Sequence, residues 1–174
     1  MTYQEKADVL KVDILKGAKA AFFEAMLDGY AGGENRKSIK TSGNDGYTTI
    51  TYTTEDSKYR VVDRYCTTPL SDWSAGTTTI FYRVNLIWVP VWWMEYNGFY
   101  YKNVIPFLKS AIRQSYEMEI FNGGRGPARY NDSGIEYNNI WSGDFERFLG
   151  REEIEDKLNG ELLGFHSFSG RSLL

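Results

Sequence analysis

Glu95 stands in the run Trp92-Trp93-Met94-Glu95-Tyr96. A carboxylate among so many aromatic side chains is the best single candidate for a perturbed acid or for the partner of a bound cation. On a strand, successive side chains point to opposite faces. Glu95 then shares a face with Trp93, and Met94 and Tyr96 share one with Trp92, so at most one of the two tryptophans lines any one pocket. The competing reading is a buried strand with Glu95 at its exposed edge. Arg125 lies in the sharpest loop of the chain, Asn122-Gly123-Gly124-Arg125-Gly126-Pro127. Backbone N–H groups there, with the guanidinium, suit a phosphate or carboxylate. The spacing is neither that of a P-loop nor that of the dinucleotide fingerprint, and a tight connector explains the same glycines. The candidate ligand-binding set is therefore Trp92, Trp93, Glu95, Tyr96 and Arg125.

Other reactive side chains make no recognisable constellation. Cys66 as a nucleophile needs His166 as its base, and nothing in the order of residues brings them together. His166 alternates with Phe165, Ser167 and Phe168 and reads as a structural histidine. Glu152, Glu153, Glu155 and Asp156 read as the solvated face of a short helix rather than a metal site. Asp144, between Gly143 and Phe145, suits a turn or helix cap. No catalytic residue, metal ligand or cofactor is assigned.

These residues need elements to position them. Leu10, Ile14, Ala18, Ala21 and Ala25 recur with helical spacing over about 4–27, with Gly17 a point where the helix can divide. A polar loop is expected over 34–46. β-branched and aromatic residues predict strands over 47–54 and 59–66, joined by a turn at Glu55-Asp56-Ser57. A connector then leads to strands over 80–89 and 91–96, parted or bulged at Pro90. A second helix is expected from about Asn103, with Pro106 in its first turn and Ile105, Leu108, Ile112 and Tyr116 on one face. A strand over 135–141, a short helix over 151–158 and a last strand over 161–168 complete the pattern.

Composition narrows the function classes. A hydrophobic fraction of 42% with 16% aromatic residues describes a globular chain with an aromatic interior. A net charge of −3, with Lys and Arg dispersed, leaves no footprint for nucleic acid. The lone Cys66 excludes an intrachain disulfide, and the lone His166 excludes a Cys/His zinc site. This usage suits the cytoplasm. The N-terminus has no signal-peptide core, and the apolar run 84–94 is too short to span a membrane.

The chain also reads as two similar halves, about 18–98 and 99–172. Each has a helix (Phe22 and Ala25; Phe107 and Ala111), then a di-glycine (Gly32-Gly33; Gly123-Gly124). Each continues with a glycine followed four residues on by isoleucine (Gly76/Ile80; Gly150/Ile154) and closes on aromatic-x-Gly (Tyr96-Asn97-Gly98; Phe168-Ser169-Gly170). The expected fold is α+β: a tandem duplication of a helix-plus-antiparallel-sheet unit in one compact domain, 1–174, about a pseudo-two-fold axis. Such an arrangement leaves a cleft between the halves.

The same landmarks carry a resemblance. Residues 90–98, Phe107-Leu108, Arg125-Gly126-Pro127, Gly143-Asp144-Phe145, 148–154 and Phe168-Ser169-Gly170 resemble a family of uncharacterised prokaryotic domains. Some of those domains follow a helix-turn-helix of the xenobiotic-response-element type. The resemblance implies a link to regulators but no activity and no catalytic residue. Only the segment before Phe22 precedes the matching stretch, so direct reading of DNA is not expected. The expected function is a cytoplasmic small-molecule-binding module with an aromatic cleft. The alternatives are a homodimerising or partner-docking module and, behind it, an enzyme using Glu95 or Asp144 as acid or base.

Overall fold

The first helix starts from a capping box. The Thr2 hydroxyl accepts from the Glu5 N–H at 3.2 Å, and the Glu5 carboxylate accepts from the Thr2 N–H at 2.6 Å, opening α1 (Tyr3–Met26). Ala18, Ala21, Phe22, Ala25 and Met26 form its buried stripe, whereas Val9, Leu10 and Val12 stay exposed. Gly17 does not divide the helix. It gives Tyr59 room to approach: a Cβ there would lie 2.2 Å from the Tyr59 hydroxyl, which donates to the Ile14 carbonyl at 3.1 Å. The helix ends in a π-turn, Leu27–Ala31. The second helix, α2 (Ile105–Glu117), follows a 3₁₀ turn, Lys102–Val104, and carries Pro106 in its first turn as expected.

A computed structural model describes residues 2–31 and 36–174, so the di-glycine Gly32-Gly33 lies outside the described residues. Among them the fold is α+β, a nine-stranded antiparallel sheet with two helices. The strands are β1 (Ile39–Ser42), β2 (Tyr47–Thr53), β3 (Tyr59–Thr67), β4 (Trp73–Val84), β5 (Ile87–Tyr100), β6 (Arg129–Asp132), β7 (Ile135–Gly143), β8 (Arg147–Asp156) and β9 (Leu162–Ser172). Their order across the sheet is β1-β2-β3-β4-β5-β9-β8-β7-β6. No helix among the described residues is long and apolar enough to cross a membrane.

Several elements depart from the sequence reading. β1 occupies the expected polar loop, β4 begins inside the expected connector, and β6 forms where the sequence pattern gives no element. The β4–β5 chain reversal lies at Asn85-Leu86, where Asn85 takes φ +56°, a conformation open to asparagine. Pro90 sits within β5, where the register slips between Ile80 and Phe81 of β4. The largest correction is the expected acidic helix, which is strand β8. Its inward positions, Phe148, Glu152 and Ile154, recur with period two, and β7 and β9 offer a hydrogen-bonding edge on both sides. Tertiary pairing overrides the helical propensity of Glu and Lys.

Both helices cover one face of the sheet. Between them and the sheet Trp92 is fully buried, stacked on Phe145 at 4.8 Å and on Phe148 at 5.6 Å and tilted against Phe22 at 5.5 Å. Its indole N–H donates to the Phe145 carbonyl at 2.7 Å, so the deepest side chain leaves no polar atom unsatisfied.

The centre of the sheet is the β5–β9 pair, with Met94 opposite Gly170, Tyr96 opposite Phe168 and Gly98 opposite His166. Glycine at 98 lets the strands meet, since a Cβ there would stand 1.9 Å from the Phe165 carbonyl oxygen. Gly98→Ala should therefore destabilise the protein by about 3 kcal/mol, the upper range for overpacking. Urea unfolding checks this, and an unchanged midpoint would show that the pairing is looser than described.

Candidate functional site

A surface cleft of about 290 Å³ opens between α2, the end of α1 and the helix-covered face of the sheet. Its sheet wall comes from Tyr65, Ser74, Tyr96, Tyr100 and His166, each an inward position of its strand. Its helical wall is Ile105, Leu108 and Ile112, the apolar stripe of α2, and Ile50 of β2 adds a further aliphatic surface. Arg36, Lys40 and Lys109 stand exposed around the opening, and Arg125 is buried at the floor.

Beneath the floor lies a buried ion pair. Glu152 is fully buried on β8, and Arg125 donates to its Oε1 through Nε at 2.7 Å and also through Nη2. Tyr100 donates to the same oxygen, and Tyr137 donates to Oε2 at 2.6 Å. Burial acts to raise the Glu152 pKa, but the Arg125 charge and these donors outweigh it and hold the carboxyl below its ordinary value. The phenols of Tyr100 and Tyr137 are pushed well up, by burial first and then by the neighbouring carboxylate. Both stay protonated as donors.

The Asn122–Pro127 loop holds Arg125 in place because it is itself buried and tied down. Gly123 and Gly124 take φ +65° and +74°, which glycine adopts freely. Tyr116 donates to the Gly124 carbonyl at 2.8 Å, and the Gly126 N–H donates to the Tyr137 hydroxyl at 2.8 Å. Asn139 donates to the carbonyls of Asn122 and Gly126 at 3.0 and 2.9 Å. The loop is thus a satisfied internal turn, the tight connector of the two sequence readings, and its arginine reaches inward to Glu152.

A second buried acid lies alongside. Asp63 Oδ1 accepts from Tyr96 at 2.8 Å and Thr78 at 2.9 Å, while Oδ2 has no partner. Burial raises its pKa against the pull of those donors. His166 is nine-tenths buried, packed against the rings of Tyr96 and Tyr100 at 5.5 and 4.5 Å. Its Nε2 shares a hydrogen bond of 3.0 Å with the Ser74 hydroxyl, and Nδ1 has no partner. Burial, joined by the Arg125 charge, drives the imidazole from 6.5 down to about 3, so it is neutral at pH 7.

The period of two divides the sequence-derived set. Tyr96 and Arg125 line the cleft. Trp92 shares the inward face with Tyr96 but is sealed in the core by Phe145 and Phe148. Trp93 and Glu95 point to the opposite, outer face, where Glu95 is exposed and accepts from Ser169 at 3.1 Å. Cys66 lies next in sequence to inward-facing Tyr65 and so on the outer face, across the sheet from His166. Asp144 accepts from the Glu146 and Arg147 N–H groups at 2.9 and 3.4 Å and shapes the β7–β8 turn, as expected. Glu152 is the residue that the sequence reading placed on a solvated helix. Read with strand periodicity, Glu152-x-Ile154 would have put it inward beside an apolar neighbour. Among the described residues no group of three His, Cys, Asp or Glu is arranged to hold a metal ion.

Two outcomes follow from this geometry. Arg125→Met strands the Glu152 carboxylate and should cost about 3–5 kcal/mol, whereas adding Glu152→Gln should recover a large part of that loss. A urea double-mutant cycle showing simple additivity would disprove the coupling. For His166, the unfolded chain gains a proton below pH 6.5 and the folded chain does not until about 3, so stability falls as pH is lowered through that window. Asp63, with its raised pKa, acts in the opposite direction, losing stability as pH rises. His166→Gln should therefore flatten the fall in urea midpoint between pH 7 and about 5. Equal slopes would show that His166 takes its proton in the fold.

Comparison with curated proteins gives no match, and comparison with solved structures gives none either. A family described as a domain of unknown function, DUF5680, matches residues 71–172. The match runs from just before β4 to the last residue of β9 and takes in Tyr96, Tyr100, Arg125, Tyr137, Glu152 and His166. It covers more than half of the chain, which therefore belongs to the DUF5680 family of domains of unknown function.

Proposed function

We propose that the protein is a cytoplasmic small-molecule-binding module and that the cleft floored by Tyr96, Tyr100, His166 and Arg125 is its site. The observation that carries this reading is the pairing of an open cleft with a floor already held in place. Arg125 and Tyr100 are fixed through Glu152, and Tyr96 through Asp63, before any ligand arrives. Preorganised polar groups beside an apolar wall are the usual make-up of a ligand pocket. The one hydroxyl–imidazole pair in the cleft, Ser74 with His166 Nε2 at 3.0 Å, has an imidazole driven down to about 3 and an Nδ1 with no orienting partner, so it makes a weak base, which favours binding over catalysis.

The reading extends to the architecture: one domain built from two related halves, 18–98 and 99–172, that meet at β5 and β9. Supporting it, Gly76 of β4 lies opposite Tyr96 and Gly150 of β8 lies opposite Phe168, and Tyr96 and Phe168 pair with each other. A Cβ at Gly76 would stand 2.5 Å from the Tyr96 ring, and one at Gly150 2.6 Å from the Phe168 ring. The inward polar pair Asp63–Thr78 on β3 and β4 has its counterpart in Asn139–Glu152 on β7 and β8. The cleft and its buried network lie along this junction.

A second reading, a homodimer, draws on the outer face of the sheet. No helix among the described residues covers it, and Trp73, Phe99 and Phe165 cluster there, with Trp73 half-exposed.

Native against denatured mass spectrometry of freshly purified protein tests both. A small mass held in the native state should be lost on denaturation. It should also be absent from Ile105→Trp, which fills the cleft from its half-buried wall, and kept in Trp93→Ala and Glu95→Gln on the other face. Retention in Ile105→Trp with loss in Trp93→Ala would move the site to the outer face. A bare dimer would favour the second reading.

A further inference from the structure

The cleft has a composition at odds with the chain around it. The protein carries more acids than bases, 23 Asp and Glu against 20 Lys and Arg, yet among the described residues the cleft is lined by four basic side chains and no carboxylate. Arg125 is neutralised by Glu152 and Arg36 lies in the field of Asp28, so the excess positive charge at the opening comes from Lys40 and Lys109. Arg36 lies between the end of α1 and β1, Lys40 on β1 and Lys109 on α2.

Among the described residues the nearby acids are engaged with groups other than these two lysines, Asp28 also acting on Arg36. Asp28 accepts from the Lys37 and Ser38 N–H groups, each at 2.8 Å, and Glu55 is paired with Lys37. Asp63 lies under Tyr96, and Glu152 under Arg125. Among the described residues no carboxylate forms an ion pair with Lys40 or Lys109. Below this charged opening the walls turn aliphatic, with Ile50, Ile105, Leu108 and Ile112, and then aromatic. Like charges gathered over low-dielectric walls focus their field on the opening and favour an anion there.

We infer that the cleft takes an amphiphilic organic anion, its carboxylate or phosphate held between Lys40 and Lys109 at the opening and its apolar body laid between the α2 stripe and Tyr96. This rests on the binding reading above and adds the ligand class to it. Lysines act as point charges that accept either acid group, so the geometry specifies the charge and the apolar body together. The neutral His166 and the protonated tyrosines at the floor meet the far end of the ligand with hydrogen bonds and ring faces rather than with a second charge.

Amide NMR titration of the labelled full chain tests this with matched pairs: octanoate and 1-octanol, indole-3-acetate and tryptophol, phenyl phosphate and phenol. At least one acid should shift the backbone amides of Lys40, Tyr96, Leu108 and Lys109 and bind about tenfold or more tighter than its neutral partner. Lys40→Gln and Lys109→Gln, both at exposed positions, should each weaken it several-fold, and added salt should weaken it further. A response to the carboxylates alone, or to the phosphate alone, identifies the acid group. Neutral partners that bind as tightly as the acids would overturn the anion assignment and leave the binding module standing, as would a preference for tryptamine. If no acid shifts a cleft amide, the assignment fails, and a bare native mass spectrum beside that result removes the binding reading as well.

Discussion

A carboxylate with no access to water must be met from within the protein, and Glu152 sets that requirement for this fold. Four segments converge to meet it: β8 supplies the acid, the loop after α2 supplies Arg125, and the end of β5 and the first part of β7 supply Tyr100 and Tyr137. Removing an ion of this kind from water costs several kcal/mol, which is recovered only when every partner arrives in place. The pair therefore ties the sheet to the loop and gives the register of β8 against its neighbours an energetic consequence. A slip of one residue would turn Glu152 outward and Glu153 into the core.

The same requirement explains why the glycine loop is buried. Its carbonyls and N–H groups are taken up by Tyr116, Tyr137 and Asn139, so it can carry a cation into the interior without leaving backbone groups unpaired. Three side-chain atoms of the network have no partner: Asn139 Oδ1, and His166 Nδ1 and Asp63 Oδ2 on two residues that pack against Tyr96. Buried polar atoms left unpaired cost free energy, and proteins tolerate them where function asks for them. Those of His166 and Asp63 lie beside Tyr96, on the one wall of the cleft that is neither aliphatic nor charged.

Aromatic residues do two separate jobs. On the inward face of β5, Trp92 closes the core against α1 and the Phe145–Phe148 turn, and at two-residue steps Met94, Tyr96, Gly98 and Tyr100 carry the wall toward the cleft. On the outward face Trp93 and Phe99 remain at the surface of the sheet. A single run of apolar letters thus divides into core, cleft wall and outer surface through the pleat alone.

The sequence by itself determined much of this. Helical spacing gave α1 and the start of α2 at Pro106, β-branched and aromatic density gave β2, β3, β7 and β9, and the alternation along Trp92–Tyr96 correctly separated Trp93 and Glu95 from Tyr96. These features are local, written in the period of a few neighbouring residues. What only the tertiary structure decided is the state of residues whose neighbours are remote. The segment 151–158 has helical composition, and only the flanking edges of β7 and β9 make it a strand and bury Glu152. Asn85 rather than Pro90 turns β4 into β5, because a bulge accommodates the proline within the ladder. The partner of Arg125, the neutrality of His166 and the gathering of Arg36, Lys40 and Lys109 at one opening all depend on residues far apart in the chain. Local periodicity carries no record of them, since burial and charge are properties of what surrounds a side chain and the fold alone supplies the surroundings.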